Sequence, residues 1–212
     1  MEVTAPPPAA TTLLSAGITP TLLTAGTGTV NQKVYATAPI APAPNALITV
    51  AVLGHASAGA GSPTVSGGGM TGWQEVATTT FESISVPKKR MSVYRAMSAT
   101  PGSGPITITF NKTESNAEWI VVQWDGVDIS GANGAGAIVQ TGTASTDGAT
   151  GVAVTLAPLG NANNVAFGVF GANARVLSIT PGGGFAEIAE QPSGESPLAD
   201  LQAEWATNDN SV

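Results

Sequence analysis

Ile106-Thr107-Ile108-Thr109-Phe110 alternates large apolar side chains with threonines. Successive side chains of a β-strand point to opposite faces, so this order makes one apolar face and one hydroxyl face. Val152-Ala153-Val154-Thr155-Leu156 follows the same rule, and Met91-Ser92-Val93-Tyr94 also alternates. Two other stretches do not alternate. Ala46 to Leu53 is continuously apolar, and Trp119 to Trp124 is apolar apart from Gln123. Such runs fit strands covered on both faces. Val165 to Phe170 reads as a further core strand. Thr71 to Phe81, Gly136 to Ala144, Phe185 to Glu190 and Asp200 to Ala206 carry weaker strand patterns.

Turn sequences punctuate these runs. They include Pro101-Gly102-Ser103-Gly104, Asp125-Gly126, Asn133-Gly134, Asp147-Gly148 and Pro181-Gly182-Gly183-Gly184. Asn-Gly and Asp-Gly adopt positive φ readily, as tight turns require. About ten short strands separated by such turns predict an all-β fold, a two-sheet antiparallel β-sandwich of jelly-roll type. The alternation around Val93, Ile108, Val121 and Val154 directs these four residues into one shared core.

The first 26 residues read differently. Pro6-Pro7-Pro8 favours extended polyproline II, and Gly17, Pro20 and Gly26 interrupt any helix. Leu13, Leu14, Leu22 and Leu23 lie on this backbone, which has no means of burying them by itself. The expected organisation is an extended arm over residues 1–26 and a sandwich domain over 27–212. The four leucines are the expected interface residues.

Composition narrows the function. Only 10% of the 212 residues are charged, against about 25% in typical domains. Core regions of protein interfaces are similarly depleted of charge. The net charge is −7, and the seven basic residues form no stripe that would face phosphates. Nucleic acid is therefore not an expected partner. Lys88-Lys89-Arg90 reads as a solvated turn. Cysteine is absent, so disulfides and thiolate zinc sites are excluded. No run approaches the roughly 18 apolar residues of a membrane span, and the first residues lack the pattern of a secretory signal.

Catalytic patterns are sparse. His55 is the single histidine, and no Gly-x-Ser-x-Gly elbow accompanies it. It reads as a strand-end residue with a local hydrogen bond. Glu114 and Glu118 flank a turn, and Glu187 and Glu190 fall on opposite faces of a strand, so neither pair frames a glycosidase cleft. Asp125-Gly126-Val127-Asp128 is explained as a turn rather than a calcium loop. No enzyme activity, cofactor or metal is expected. Trp119 and Trp124 are five apart and point to opposite faces, so at least one enters the core. Trp73 and Trp205 are the candidates for stacking a sugar ring.

The segments 90–96, 106–110 and Trp119-Ile120-Val121-Val122-Gln123-Trp124-Asp125-Gly126-Val127-Asp128 resemble tailed-phage structural proteins, among them head-decoration and minor tail proteins. Gly136-Ala137-Ile138-Val139-Gln140 and Leu201-Gln202-Ala203-Glu204-Trp205 extend the resemblance over roughly residues 45–206. It implies a virion protein that binds major capsid or tail proteins and copies of itself. Proteins of this kind usually continue with one more apolar strand after the segment matching Trp205 to Asn210, and the arm is a candidate to fill that place. The other expectation is a carbohydrate-binding module that recognises a glycan or host surface.

Overall fold

The computed structural model describes residues 17–83, 85–146, 151–161, 163–173 and 178–207. Eleven strands run through them: β1 (Thr19–Gly28), β2 (Gln32–Ala36), β3 (Leu47–His55), β4 (Pro63–Gly67), β5 (Gln74–Phe81), β6 (Lys89–Met97), β7 (Ile106–Glu114), β8 (Asn116–Asp125), β9 (Val165–Ala172), β10 (Ala186–Pro192) and β11 (Asp200–Thr207). Each observed strand pairing is antiparallel. The central sheet has the order β1-β8-β3-β6-β5. A second sheet is β2-β7-β4, and a third is β10-β11-β9.

The two continuously apolar runs explain the layering. They are β3 and β8, adjacent strands in the middle of the central sheet. Every residue of β3 is buried. Ile48, Val50 and Val52 point one way and join Trp119 and Val121 against Ile106, Ile108 and Phe110 of β7. Leu47, Ala51 and Leu53 point the other way and join Ile120, Val122 and Trp124 against Leu201 and Ala203 of β11. The central sheet thus has a core on each face. Gly54 permits the first core to close at its end, because a Cβ there would meet the Phe110 ring at 2.4 Å.

Several expectations are corrected. There are three sheets where two were expected, because the central sheet is apolar on both faces and one partner sheet covers only one of them. Ile108 and Val121 do share a core, but Val93 packs on the opposite one. Val154 is in neither. The segment 152–156 keeps its alternation, with Val152, Val154 and Leu156 half-buried and Ala153 and Thr155 exposed, yet it lies outside the three sheets. Alternation specifies a two-faced extended chain, whereas a strand also needs a free neighbouring edge in register. The stretch 136–144 likewise forms no strand: Ala132–Ala137 is a 3-10 turn with Asn133 and Gly134 at positive φ. The boundary at residue 26 falls inside β1, which pairs with β8 from Thr19 to Gly28. Leu13 and Leu14 lie outside the described residues, as does Asp147-Gly148.

Two cores of comparable burial imply two comparable penalties. Ile48→Ala and Leu53→Ala remove fully buried side chains from opposite faces of β3. Each is expected to cost about 2–5 kcal/mol, read as a fall in the urea midpoint of the purified protein. A variant with near wild-type stability would show that its face of the sheet is not a packed core.

Candidate functional site

The central and third sheets close against each other on one side and part on the other. β1 and β10 approach each other on the closed side. On the open side lie β5 and β9, the outermost strands of their sheets. Between them is a groove with a cavity of about 250 Å³. Phe81, Met91 and Val93 form one wall, Phe167 and Val169 the other, and Val152, Val154 and Leu156 lie over it. None of its lining residues is charged. A smaller hollow lined by Ile18, Leu47 and Trp124 adjoins it and shares Ala137, Ile138, Val139, Val165 and Phe167 with it. The chemistry offered is mainly apolar contact, with hydroxyls of Thr78, Thr79, Thr141, Thr143 and Ser145 also in the lining.

The His55 end of β3 is instead polar and closed. His55 is fully buried, and its Nε2 lies 3.0 Å from both carboxylate oxygens of Glu118, also fully buried. This geometry places the ring proton on Nε2, donating to the carboxylate. The pairing register explains the meeting: Leu53 is opposite Glu118 and His55 opposite Asn116, so the glutamate is one pleat along from the histidine on the same face. Thr27 Oγ1 donates to Glu118 at 3.3 Å. Asn116 donates to the carbonyls of Glu195 and Pro197. Lys89, 1% exposed, donates to the Leu198 carbonyl at 3.1 Å and pairs with Glu82 at 3.2 Å. These contacts tie the loop 193–199 to the end of the central sheet.

Three buried carboxyls carry raised pKa values. Burial pushes Asp200 up to about 7, and the adjoining Glu190 carboxyl adds to the rise. Burial raises Glu114, with a partial offset from the Gly61 N–H that donates at 2.6 Å. Burial raises Glu204 in the same way, offset by the Gly182 N–H. Among the described residues no group of three histidine or acidic side chains is placed to hold a metal ion.

The expected site residues are dispersed. Leu22 projects from β1, 43% exposed, while Leu23 packs against the first core. Trp73 is half-buried against the first core and donates its indole N–H to the Gly67 carbonyl. Trp205 is half-buried in the second core. Trp119 and Trp124 enter opposite cores, so both are buried. The turn at 125–128 has Gly126 at φ 76 and Asp128 accepting from the Ser130 N–H. Lys88 is exposed, but Lys89 is not, which corrects the reading of that cluster as a solvated turn. Sequence reading weighed Glu118 only beside Glu114 and missed its pairing with His55, and it missed buried Asp200 and the groove. Glu118 adjoins a long apolar run, a signal that it starts inside a covered strand. Nothing local marks the groove, because its walls come from segments distant in sequence.

Comparison with known protein families, with curated proteins and with solved structures finds no match.

Two outcomes are expected. His55→Ala leaves buried Glu118 with only the Thr27 hydroxyl, and breaking a buried pair this way costs about 3–5 kcal/mol, read by urea denaturation. A free carboxylic acid of the Asp200 type titrates near 3.9 when unfolded. Asp200 in the folded chain therefore keeps a proton that the unfolded chain has already released. Its stabilising contribution is fully present below about pH 4 and is lost as pH rises through about 7. Glu114 and Glu204 act with the same sign. The urea midpoint should fall between about pH 4 and 7, and Asp200→Asn should flatten that part of the profile. An unchanged slope in the variant would show that another group is responsible.

Proposed function

We propose that this protein is a structural component of a tailed-phage virion, foremost a head-decoration protein and otherwise a minor tail component, that binds neighbouring virion subunits. The observation that carries this reading is the state of the sheet edges. β1, β4 and β9 are edge strands without a single charged residue. Exposed strand edges template pairing with other chains, and proteins that stay apart usually guard them with charges. Among the described residues these three edges carry no charge, whereas β2, β5 and β10 carry Lys33, Glu75, and Glu187 with Glu190, on a chain with few charges altogether. Leu22 on β1 and Val34 on β2 add exposed aliphatic side chains at 43% and 49% exposure.

The mechanism proposed is binding, not catalysis: strand addition at an open edge with burial of the aliphatic side chains beside it. The partners would be the major capsid or tail protein and further copies of this chain, and the place of action the virion. The resemblance in the segments 90–96, 106–110 and 119–128 supports the same assignment. Glycan binding is the weaker reading, since Trp73 and Trp205 both pack against cores.

Mass spectrometry and immunogold labelling of purified particles test the assignment. The protein is expected at a fixed copy number per particle. The double variant Leu22→Lys, Val34→Lys changes two exposed positions, so its far-UV circular dichroism should match wild type while particle occupancy falls several-fold. Absence of the wild-type protein from purified particles would refute the proposal, as would full occupancy of the double variant.

A further inference from the structure

The outer face of the third sheet, turned away from the central sheet, holds buried oxygen atoms that no donor among the described residues serves. We propose that Asp200, Glu190 and Gln202 bind a calcium ion on this face, which ties β10 and β11 to the segment carrying Ile179. The inference is independent of where the protein works.

The first argument is placement. Leu201 and Ala203 of β11 face the second core, so Asp200 and Gln202 point to the opposite face of their sheet. Gln202 lies opposite Glu190 of β10 in the pairing register. Asp200 lies opposite Pro192, which puts Glu190 on the diagonal to Asp200. Directly opposed and diagonal side chains on one sheet face reach each other when they are long. Asp200 and Glu190 are near enough for one carboxyl to raise the pKa of the other. Ile179 holds both longer side chains. Its N–H donates to Glu190 Oε1 at 2.8 Å, and its carbonyl accepts from Gln202 Nε2 at 3.2 Å. The three side chains therefore meet over one patch.

The second argument is the state of the oxygens. Asp200 and Gln202 are fully buried, yet both carboxyl oxygens of Asp200 and Oε1 of Gln202 lack a hydrogen-bond partner. Buried acceptors in that state are costly. A proton on Asp200 supplies a single donor and leaves acceptors over, whereas a cation satisfies them together. The third argument is the donor set. It is all oxygen, which selects hard ions such as calcium and magnesium. Two carboxylates balance a divalent charge. Asp200, with both oxygens free, can bind through both at once, which calcium accepts and the tighter magnesium octahedron disfavours. Water completes the shell from the side of Glu190 and Ile179, which are only half-buried. Two acids and an amide make up the set, so it differs in kind from a cluster of three acidic or histidine groups.

Calorimetric titration of the EDTA-stripped full chain with calcium chloride, and separately with magnesium chloride, tests this at mildly alkaline pH. The wild type should take up a single equivalent of calcium. Its urea midpoint should rise with added calcium and rise less with magnesium. Asp200→Asn keeps the shape and removes the charge, and Gln202→Met removes the amide oxygen at similar volume. Each should lose the calcium-dependent rise while its far-UV circular dichroism in EDTA stays that of wild type. Asp128→Asn, in the exposed turn at 125–128, is the control and should bind calcium as the wild type does. The wild-type titration decides whether or not a variant folds. No heat and no midpoint shift with calcium would leave only a proton for Asp200 and Glu190 and overturn the proposal. So would a larger rise with magnesium, unchanged calcium binding in Asp200→Asn, or its loss in Asp128→Asn.

Discussion

The structure depends on the burial of β3 and β8 from both sides. A strand with one apolar face needs one covering layer, but Leu47 to Leu53 and Trp119 to Trp124 present apolar side chains on both. Each face left open would expose a row of Val, Ile, Leu or Trp to water. The second and third sheets are the covers, and each is narrow, with three strands against the central five. Dispersion and hydrophobic contact in two thin cores replace one thick one.

The same constraint governs the polar residues on these strands. Thr49 lies inside the central sheet and accepts from the Trp124 indole at 3.0 Å, so a hydroxyl and an N–H are satisfied together. Gln123 accepts from the Ala43 N–H and donates to Asp125. At the far end His55 Nε2 and the Glu118 carboxylate satisfy each other. Buried polar groups without partners are costly, so these pairs mark where the chain can carry polar atoms through a doubly covered sheet. The buried carboxyls Asp200, Glu114 and Glu204 are the less completely compensated members, and this is the origin of their raised pKa values.

Asymmetry between the two sides of the central and third sheets gives the molecule its surface character. Where β1 meets β10 the layers seal. Where β5 and β9 end their sheets the layers diverge, and the half-buried chain at 152–156 lies over the gap. That segment has the alternation of a strand but belongs to none of the three sheets. Open edges, few charges and an apolar groove are features of a surface suited to being covered.

Much of this was legible in the sequence. Period-two alternation fixed Ile106 to Phe110 as a one-sided strand, and unbroken apolar runs marked 46–53 and 119–124 as strands covered twice. Asn133-Gly134 and Asp125-Gly126 showed where the chain turns at positive φ. These are local properties of neighbouring side chains, so local order suffices to read them. The sequence also determined the poverty of charge and the lack of thiols. Tertiary structure alone decided the rest. Alternation says that a strand has two faces but not which core each face meets, so Val93 and Val121 were not separable beforehand. Val152 to Leu156 has a strand's pattern, yet pairing depends on whether a partner edge is vacant. Lys89 and Glu118 are charged residues whose burial follows from what folds over them, the loop 193–199 and the end of β3, at separations of up to 109 residues. A contact of that kind has no signature near either residue. The groove is likewise a gap between distant segments, and only the packing of three sheets brings it into being.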